Sequence, residues 1–237
     1  MTLFLGTSGY AYAEWKGVFY PQELKTKDQL RYFASKFGSV EINYTFRRHP
    51  SETTLDAWRE QTPDGFLFTL KAHQTITHRR RLKDAEGDVA FFLERAKRLG
   101  DRLGVILFQC PPNLQFDRDR LNTFLDTLPE GGRYAMEFRH PSWEDARKVL
   151  RERGIAWCTA ETDEQAAPSD SWEPFCYLRL RKEIYTDEQL EAWAGRARGA
   201  LESGHDVFCY FKHEEKGIGP IYAERMADLL GTTAQLE

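Results

Sequence analysis

The sequence lacks several patterns that would assign it to a well-known class. Its four cysteines show no CxxC spacing, no GxGxxG or GxxxxGK[ST] motif follows an apolar run, and no apolar run approaches the ~20 residues of a membrane span. Positive and negative side chains are mixed along the chain, with a formal net charge of −4. These absences argue against a cysteine-based metal site, a doubly wound nucleotide-binding sheet, a membrane protein and a globally polycationic nucleic-acid binder.

The beginning of the chain carries no secretory pattern, because the first apolar run already starts at Leu3. We therefore expect a soluble cytoplasmic protein with no membrane partner, and we expect its cysteines to be reduced core residues. The chain has 237 residues, 41% of them hydrophobic, so it can bury a sizeable core.

Short apolar runs rich in β-formers alternate with amphipathic segments in which apolar residues recur three and four positions apart. We predict eight strands, at residues 3–8, 39–43, 66–71, 103–109, 134–138, 155–159, 175–180 and 206–211. This alternation predicts a single (β/α)8 TIM barrel over residues 1–237, with a doubly wound open sheet as the alternative. The sixth unit is followed by the polar stretch ETDEQAAPSDSWEP, so we expect its helix to be degenerate or missing.

Two helix starts carry side-chain signals. Thr186 and Gln189 have the spacing of a capping box, and Ser142 is placed to cap the helix that follows Pro141.

Side-chain parity predicts which strand residues point toward the barrel axis. In SVEIN, Val40 and Ile42 share one face and should pack against helices, so Glu41 and Asn43 should point inward. The same sorting selects further polar residues near the carboxyl ends of the other strands: Lys71, Gln109, Glu137, Arg139, Arg179 and Lys212. TIM-barrel enzymes carry their active sites at this end, so we predict a site there.

The inward set has four cations and two anions, which predicts a mouth that favours an anionic ligand. Buried charges are costly unless they are paired, so we expect ion pairs of Glu41 with Lys71 and of Glu137 with Arg139 or Arg179. Purely structural pairing is the alternative explanation for the same residues.

Several motifs carry a family likeness: GTSGYAYAEWKGVFYP, VEINYTF, FTLKAHQTITH, LFQCPPNL and MEFRHPSW. Together they resemble the YecE-like proteins, also called domain of unknown function 72, over nearly the whole chain. The resemblance implies a TIM barrel with weaker similarity to endonuclease IV and xylose isomerase-like barrels, and no established activity. The residues that match the family motifs are Ser8, Tyr10, Trp15, Glu41, Asn43, Phe46, Lys71, Thr77, His78, Gln109, Pro111, Glu137, Arg139, Trp143 and Arg179.

The last third of the chain departs from the family pattern. Arg181 and Lys182 stand where the family usually has a histidine and a glycine, and Lys212 and His213 stand where it usually has two asparagines. Contact of these positions with the ligand would change what this chain binds.

We predict Glu41, Glu137 and Lys71 as the candidate catalytic residues of a hydrolase, isomerase or lyase acting on a phosphorylated or carboxylated substrate. A Schiff base on Lys71 needs a lowered pKa, which an ion pair with Glu41 would oppose. Glu41 with Glu137 is also the one inward carboxyl pair that a glycosidase could use, although strands two and five are far apart. The predicted substrate-binding residues are Ser8, Tyr10, Asn43, Gln109, Arg139, His140, Arg179 and Lys212.

No cofactor is predicted. A metal is a minor alternative through the endonuclease IV likeness, and its conceivable ligands are His73, His78, His140, His213, Glu41, Glu137 and Glu161. The inward cations argue against it. Gly217 and Gly219, in EEKGIGPIY, form a candidate phosphate-binding turn at the start of the last helix.

The second hypothesis for function is a nucleic-acid-binding barrel related to endonuclease IV-like proteins, with or without metal-assisted phosphodiester hydrolysis. Arginines follow the second and third strands on the mouth side, and aromatic residues are interleaved with them, so this surface could track a phosphate backbone and stack bases. A solvated, salt-bridged loop is the alternative. The arginines concerned are Arg47, Arg48, Arg79, Arg80 and Arg81.

Overall fold

The computed structural model of the protein describes residues 1–164, 172–212 and 217–231. Eight strands lie in the predicted positions. They are β1 (Leu3–Thr7), β2 (Ser39–Ile42), β3 (Leu67–Lys71), β4 (Leu103–Gln109), β5 (Tyr134–Glu137), β6 (Ala156–Glu161), β7 (Cys176–Leu180) and β8 (Val207–Phe211).

Seven α-helices accompany these strands in the described ranges. They are α1 (Gln29–Ala34), α2 (Glu52–Gln61), α3 (Glu86–Ala96), α4 (Arg118–Leu125), α5 (Ala146–Glu152), α6 (Asp187–Glu202) and α7 (Ile218–Leu230). The predicted loss of the sixth helix falls mainly on 165–171, outside the described residues. None of the helices in the described ranges has the length and apolarity to cross a membrane.

All paired strands are parallel, and neighbouring strands follow the order β1-β8-β7-β6-β5-β4-β3-β2. The ring closes between β1 and β2 near their carboxyl ends, where Ser8 forms a parallel bridge with Glu41 and the Gly9 N–H donates to the Glu41 carbonyl at 2.7 Å. A Cβ atom on Gly6 would overlap the Ser39 carbonyl, so β1 can approach β2 this closely only because residue 6 is glycine. This topology confirms the TIM barrel and excludes the doubly wound sheet.

The interior of the barrel is a packed core. Its apolar filling includes Val105, Leu107, Tyr177, Phe208 and Tyr210, which are at most 2% exposed. The Tyr210 hydroxyl lies 2.7 Å from Ser39 Oγ and 2.8 Å from Thr69 Oγ1, which satisfies the polar groups of this layer. The four cysteines are free and buried, as predicted.

The strand parity is confirmed by the packing of the outer faces. Val40 and Ile42 join the large core between strands and helices, whereas Glu41 is buried on the opposite, inner face. The polar residues predicted from the sequence therefore lie on the inner face, at the carboxyl end of the barrel.

The two predicted helix starts differ in outcome. Thr186 and Gln189 form the capping box at α6. Ser142 does not cap the helix after Pro141: His140 Nδ1 accepts from the Ser142 N–H at 3.2 Å, and Ser142 Oγ accepts from the Phe116 N–H at 2.8 Å. His140, the residue before Pro141, therefore takes the capping role that was predicted for Ser142.

Candidate functional site

A buried ionic cluster lies at the carboxyl end of the barrel. Arg179, from β7, donates from Nη2 to Glu41 Oε1 at 2.8 Å and from Nε to the same oxygen at 3.2 Å, while its Nη1 bonds Glu137 Oε2. All three side chains are at most 1% exposed. One guanidinium from β7 therefore joins a carboxylate from β2 to a carboxylate from β5 across the barrel.

Glu41 is saturated with donors. Besides Arg179, Ser8 Oγ donates to Oε1 and the Tyr177 hydroxyl donates to Oε2, both at 2.6 Å. Burial raises the pKa of Glu41, but the charge of Arg179 and these hydrogen bonds outweigh it and hold the pKa below its ordinary value. Glu41 is thus an ionised anchor that is completely buried and out of reach of a substrate.

Glu137 is surrounded by cations. Arg139 Nε lies 3.0 Å and Arg181 Nη1 lies 3.6 Å from its Oε1, which also accepts from Gln109 Nε2 at 2.8 Å. Burial raises the pKa of Glu137, but Arg179 and then Arg139 and Arg181 lower it well below its ordinary value. The predicted pairing of Glu137 with Arg139 or Arg179 is present with both arginines.

Lys71 does not make the predicted ion pair with Glu41. Its Nζ donates to the neutral Gln109 Oε1 at 2.6 Å and lies 4.1 Å from the centroid of the Phe46 ring. Arg179 is the ion-pair partner of Glu41 instead. Side-chain parity alone does not distinguish Arg179 from Lys71 as that partner. Burial, and next the charge of Arg179, lower the pKa of Lys71 to about 7; the expectation that the pKa would be held up depended on the ion pair with Glu41, which is absent.

The other predicted inward residues flank this cluster. Asn43 Oδ1 lies 3.5 Å from Arg179 Nη2, and its buried Nδ2 has no hydrogen-bond partner among the described residues. Tyr10 is partly buried against the core, and burial raises the pKa of its hydroxyl. Lys212 follows β8 directly, with its N–H bonded to the Leu180 carbonyl at 2.9 Å.

A cavity of about 840 Å³ opens beside Glu137 at the carboxyl ends of β5, β6 and β7. Arg139 and Arg181 line it and keep 29% and 19% of their side-chain surface exposed. Arg181 Nε is buried and has no hydrogen-bond partner among the described residues. In the Arg139 guanidinium, Nε is the one nitrogen that makes a hydrogen bond to a described residue. The rest of the described lining is Pro112, Glu137, Phe138, His140, Pro141, Glu144, Trp157, Cys158, Ala160, Thr162, Asp163, Glu164 and Glu183.

The candidate phosphate turn stays a prediction. Gly217 has φ 66° and stands at the start of α7, where an added Cβ would lie 3.2 Å from Val18 Cβ. Gly219 is buried in the first turn of α7. Residues 213–216, which include His213, lie outside the described residues.

The arginines of the nucleic-acid hypothesis are separate from the ionic cluster and partly engaged. Arg80 pairs with Asp88 at 3.0 Å, and Arg81 donates to the side chain and carbonyl of Asn113 at 3.0 and 2.8 Å. Arg47, Arg48 and Arg79 are exposed. This surface therefore offers fewer unpaired cations than its sequence indicates.

The conceivable metal ligands are dispersed. His73 bonds Thr75, His78 bonds Thr77, and Glu161 is held by Lys182 and Trp193. Within residues 1–164, 172–212 and 217–231, no group of three or more His, Cys, Asp or Glu side chains is arranged to hold a metal ion.

Sequence reasoning missed Tyr177 as a member of the site and treated Arg181 only as a departure from a family pattern. Both are two positions from Arg179 along the β7 segment and therefore share its inward face, which is the sequence signal that identifies them. Tyr177 looked like an ordinary apolar barrel residue, but its hydroxyl reaches Glu41.

Comparisons with known proteins agree with this architecture. A family model described as protein of unknown function DUF72 matches residues 4–237. UPF0759 protein YecE of Escherichia coli K12 is 33% identical over 134 residues, which cover 53% of this chain and 49% of that protein, so the match spans about half of the relative's length. UPF0759 protein YunF of Bacillus subtilis is 25% identical over 89% of both chains.

Two solved structures carry the same fold. A DUF72 family protein of Thermotoga maritima superposes with a TM-score of 0.86 at 25% identity, covering 98% of this chain and 100% of its own. A DUF72 family protein of Enterococcus faecalis gives a TM-score of 0.81 at 14% identity, covering 97% of this chain and 96% of its own. The second similarity concerns the fold alone.

Proposed function

The chain belongs to the DUF72 family, and from that premise and the geometry of the mouth we propose that it is an enzyme that binds a small anionic substrate through Arg139 and Arg181. The phosphorylated or carboxylated group would lie in the cavity beside Glu137. Glu41, Glu137 and Arg179 form the rigid base of this site, and Lys71 supplies the group that exchanges a proton.

One observation carries the proposal: three guanidinium groups share two buried carboxylates. Arg179, Arg139 and Arg181 all approach Glu137, while Glu41 is bonded by Arg179. The cluster therefore keeps one positive charge in excess, and the two arginines that carry it, Arg139 and Arg181, are partly exposed to the cavity. A bound anion would compensate that charge.

The partnerless nitrogen atoms point to the same chemistry. A carboxylate or phosphate bound at the exposed parts of the Arg139 and Arg181 guanidinium groups would receive charge-assisted hydrogen bonds, which are stronger than neutral ones. Burial, and next the charge of Arg179, lower the pKa of Arg181, as expected for a guanidinium that lacks sufficient negative charge nearby.

The acidic residues of the cavity favour a small ligand over a polyanion. Glu144, Asp163, Glu164 and Glu183 line the same cavity and are exposed. They would repel a nucleic-acid backbone more strongly than a small anion, because a polyanion brings many more negative charges near them.

Lys71 is better suited to proton transfer than either glutamate. Glu41 and Glu137 have pKa values held low by their cations, so neither accepts a proton at neutral pH. Lys71 has a pKa of about 7 and has no carboxylate partner among the described residues. The catalytic assignment of Lys71 is kept, and we assign the two glutamates to positioning.

Thermal unfolding with a panel of phosphorylated and carboxylated metabolites tests this function. A ligand at about 100 times its Kd stabilises by about 2.7 kcal/mol, which for a chain of this size raises the Tm by roughly 5–10 °C. Arg139→Ala and Arg181→Ala should keep the fold and lose that shift.

Arg153→Ala is the matched control. Arg153 is half-exposed, lies outside the described lining of the cavity and pairs with Asp126 at 2.6 Å. This variant should respond to the ligand as the unaltered protein does. A panel in which no anion raises the Tm, or in which all three variants respond equally, would overturn the proposal.

A further inference from the structure

Lys71 is a lysine in an unusual chemical setting. It stands at the end of β3 on the inner face of the barrel, where the one hydrogen bond from its Nζ to a described residue goes to the neutral Gln109 side chain at 2.6 Å. The face of the Phe46 ring lies 4.1 Å from its Nζ. The residue is partly exposed and stands outside the described lining of the cavity, but Gln109 joins its Nζ to Glu137, the carboxylate that Arg139 and Arg181 also contact.

Lys182 shows the ordinary alternative at the same mouth. It follows β7, it is also partly exposed, and its Nζ lies 3.0 Å from Glu161 Oε1. The Lys182 amine is thus held in an ion pair with a carboxylate. Glu41, which could do the same for Lys71, is instead occupied by Arg179.

We propose that Lys71 forms an imine with the carbonyl carbon of a small aldehyde or ketone whose carboxylate or phosphate group is held by Arg139 and Arg181. The anion-binding half of this inference rests on the function proposed above. The substrate class is therefore an oxo acid or a phosphorylated carbonyl compound.

The step is balanced without any further reactant. The lone pair of the neutral amine attacks the carbonyl carbon and forms a C–N bond while the C=O π-bond breaks. The resulting carbinolamine loses its oxygen, which leaves as one water molecule with the two protons of the amine, and a C=N bond remains.

The surroundings of Lys71 supply the neutral amine that this step needs. Burial and Arg179 lower the pKa of Lys71 to about 7, and Arg139 contributes in the same direction, while Glu137 and Glu41 act against them. The charges of Lys71 and Arg139 also lower the pKa of the neighbouring His78, after burial. About half of the Lys71 amines are neutral at pH 7, against roughly one in a thousand or fewer for an ordinary lysine.

Reductive trapping tests the inference on the intact protein. The protein is incubated at pH 7 with pyridoxal 5′-phosphate, an aldehyde that carries a phosphate, or with pyridoxal, which does not. Borohydride then reduces any imine to a secondary amine, and peptide mass spectrometry locates it. We expect Lys71 to be modified at least about tenfold faster than Lys182, with a half-maximal rate near pH 7.

Phosphate dependence separates this inference from the proposed function. The ratio of Lys71 to Lys182 modification should be about tenfold higher with pyridoxal 5′-phosphate than with pyridoxal, and Arg139→Ala should remove that difference. Equal ratios with the two aldehydes would refute the anionic substrate class and leave the imine. Anion binding in the thermal assay without selective modification of Lys71 would refute the imine and leave the proposed function.

The main trapping experiment uses the unaltered protein, so its result does not depend on whether any variant folds. Two variants serve as controls. Lys71→Arg, which keeps a positive charge but cannot form an imine, should abolish the modification of this peptide. Lys182→Arg should leave it unchanged. Equal modification of Lys71 and Lys182 would show that Lys71 is an ordinary amine.

Discussion

Arg179→Met is the substitution that most severely disturbs the ionic cluster. Methionine fills much of the volume of the arginine side chain but removes the only cation bonded to Glu41 among the described residues. Glu137 keeps Arg139 and Arg181, so the damage falls mainly on Glu41. Glu41 would retain Ser8 and Tyr177 as donors in a fully buried position.

The magnitude follows from leaving a buried carboxylate without its charge partner. Breaking a buried pair in this way costs about 3–5 kcal/mol. For a chain of 237 residues this corresponds to a fall in Tm of roughly 6–20 °C.

The substitution should also reverse how the stability contributed by Glu41 depends on pH. With Arg179 present, the pKa values of Glu41 and Glu137 are lowered, so their contribution to stability is present above an unfolded pKa of about 4.3 and is lost as pH falls through the folded pKa. Without Arg179, burial raises the pKa of Glu41 above that of the unfolded chain. Stability is then lost as pH rises above about 4.3.

Urea denaturation at pH 5 and pH 8 measures both effects. The stability difference between Arg179→Met and the unaltered protein should be larger at pH 8, and the double variant Arg179→Met with Glu41→Gln should recover part of it. Arg153→Met, at a half-exposed surface pair, should cost no more than about 1 kcal/mol at either pH. A loss below about 1 kcal/mol for Arg179→Met, or equal losses at the two pH values, would refute the reasoning.

Three further predictions concern the barrel, Lys71 and nucleic acid. Gly6→Ala should destabilise the protein by at least about 2 kcal/mol in urea denaturation, because the added Cβ overlaps β2. Gly195→Ala in α6, where the added Cβ meets open space, should stabilise it by up to ~1 kcal/mol. Equal effects of the two substitutions would contradict the close contact of β1 with β2. Lys71→Met should raise the free energy of unfolding by about 1–3 kcal/mol at pH 6, because the buried charge is removed. This gain should shrink as the pH rises from 7 toward 10.5, and a gain that does not change with pH would refute the lowered pKa of Lys71. Fluorescence anisotropy at low salt should detect no binding of single-stranded DNA, since Arg80 and Arg81 are engaged by neighbouring side chains; affinity that falls steeply with salt would contradict this.

The barrel and the inward polar residues were predictable because both depend on local periodicity. Alternation along each strand placed Glu41, Glu137 and Arg179 on the inner face, and the parallel order of the strands brought their carboxyl ends together. The structure confirms these placements without any distance being known beforehand.

The partners of the charged residues were not predictable in the same way. Parity allowed Glu41 to meet either Lys71 or Arg179, and the choice depends on side-chain reach across the barrel, which the sequence does not encode locally. The outcome changes the chemistry, because a lysine next to a neutral amide has a lower pKa than one paired with a carboxylate.

An anomalous-diffraction experiment with selenate tests the central claim, that the mouth binds an anion, most directly. Crystals grown without sulfate or phosphate and then soaked in selenate would locate an oxyanion by its own signal. We expect a peak within hydrogen-bond distance of the guanidinium groups of Arg139 and Arg181, absent from Arg139→Ala crystals. Peaks confined to the outer surface, with an empty cavity beside Glu137, would contradict the account.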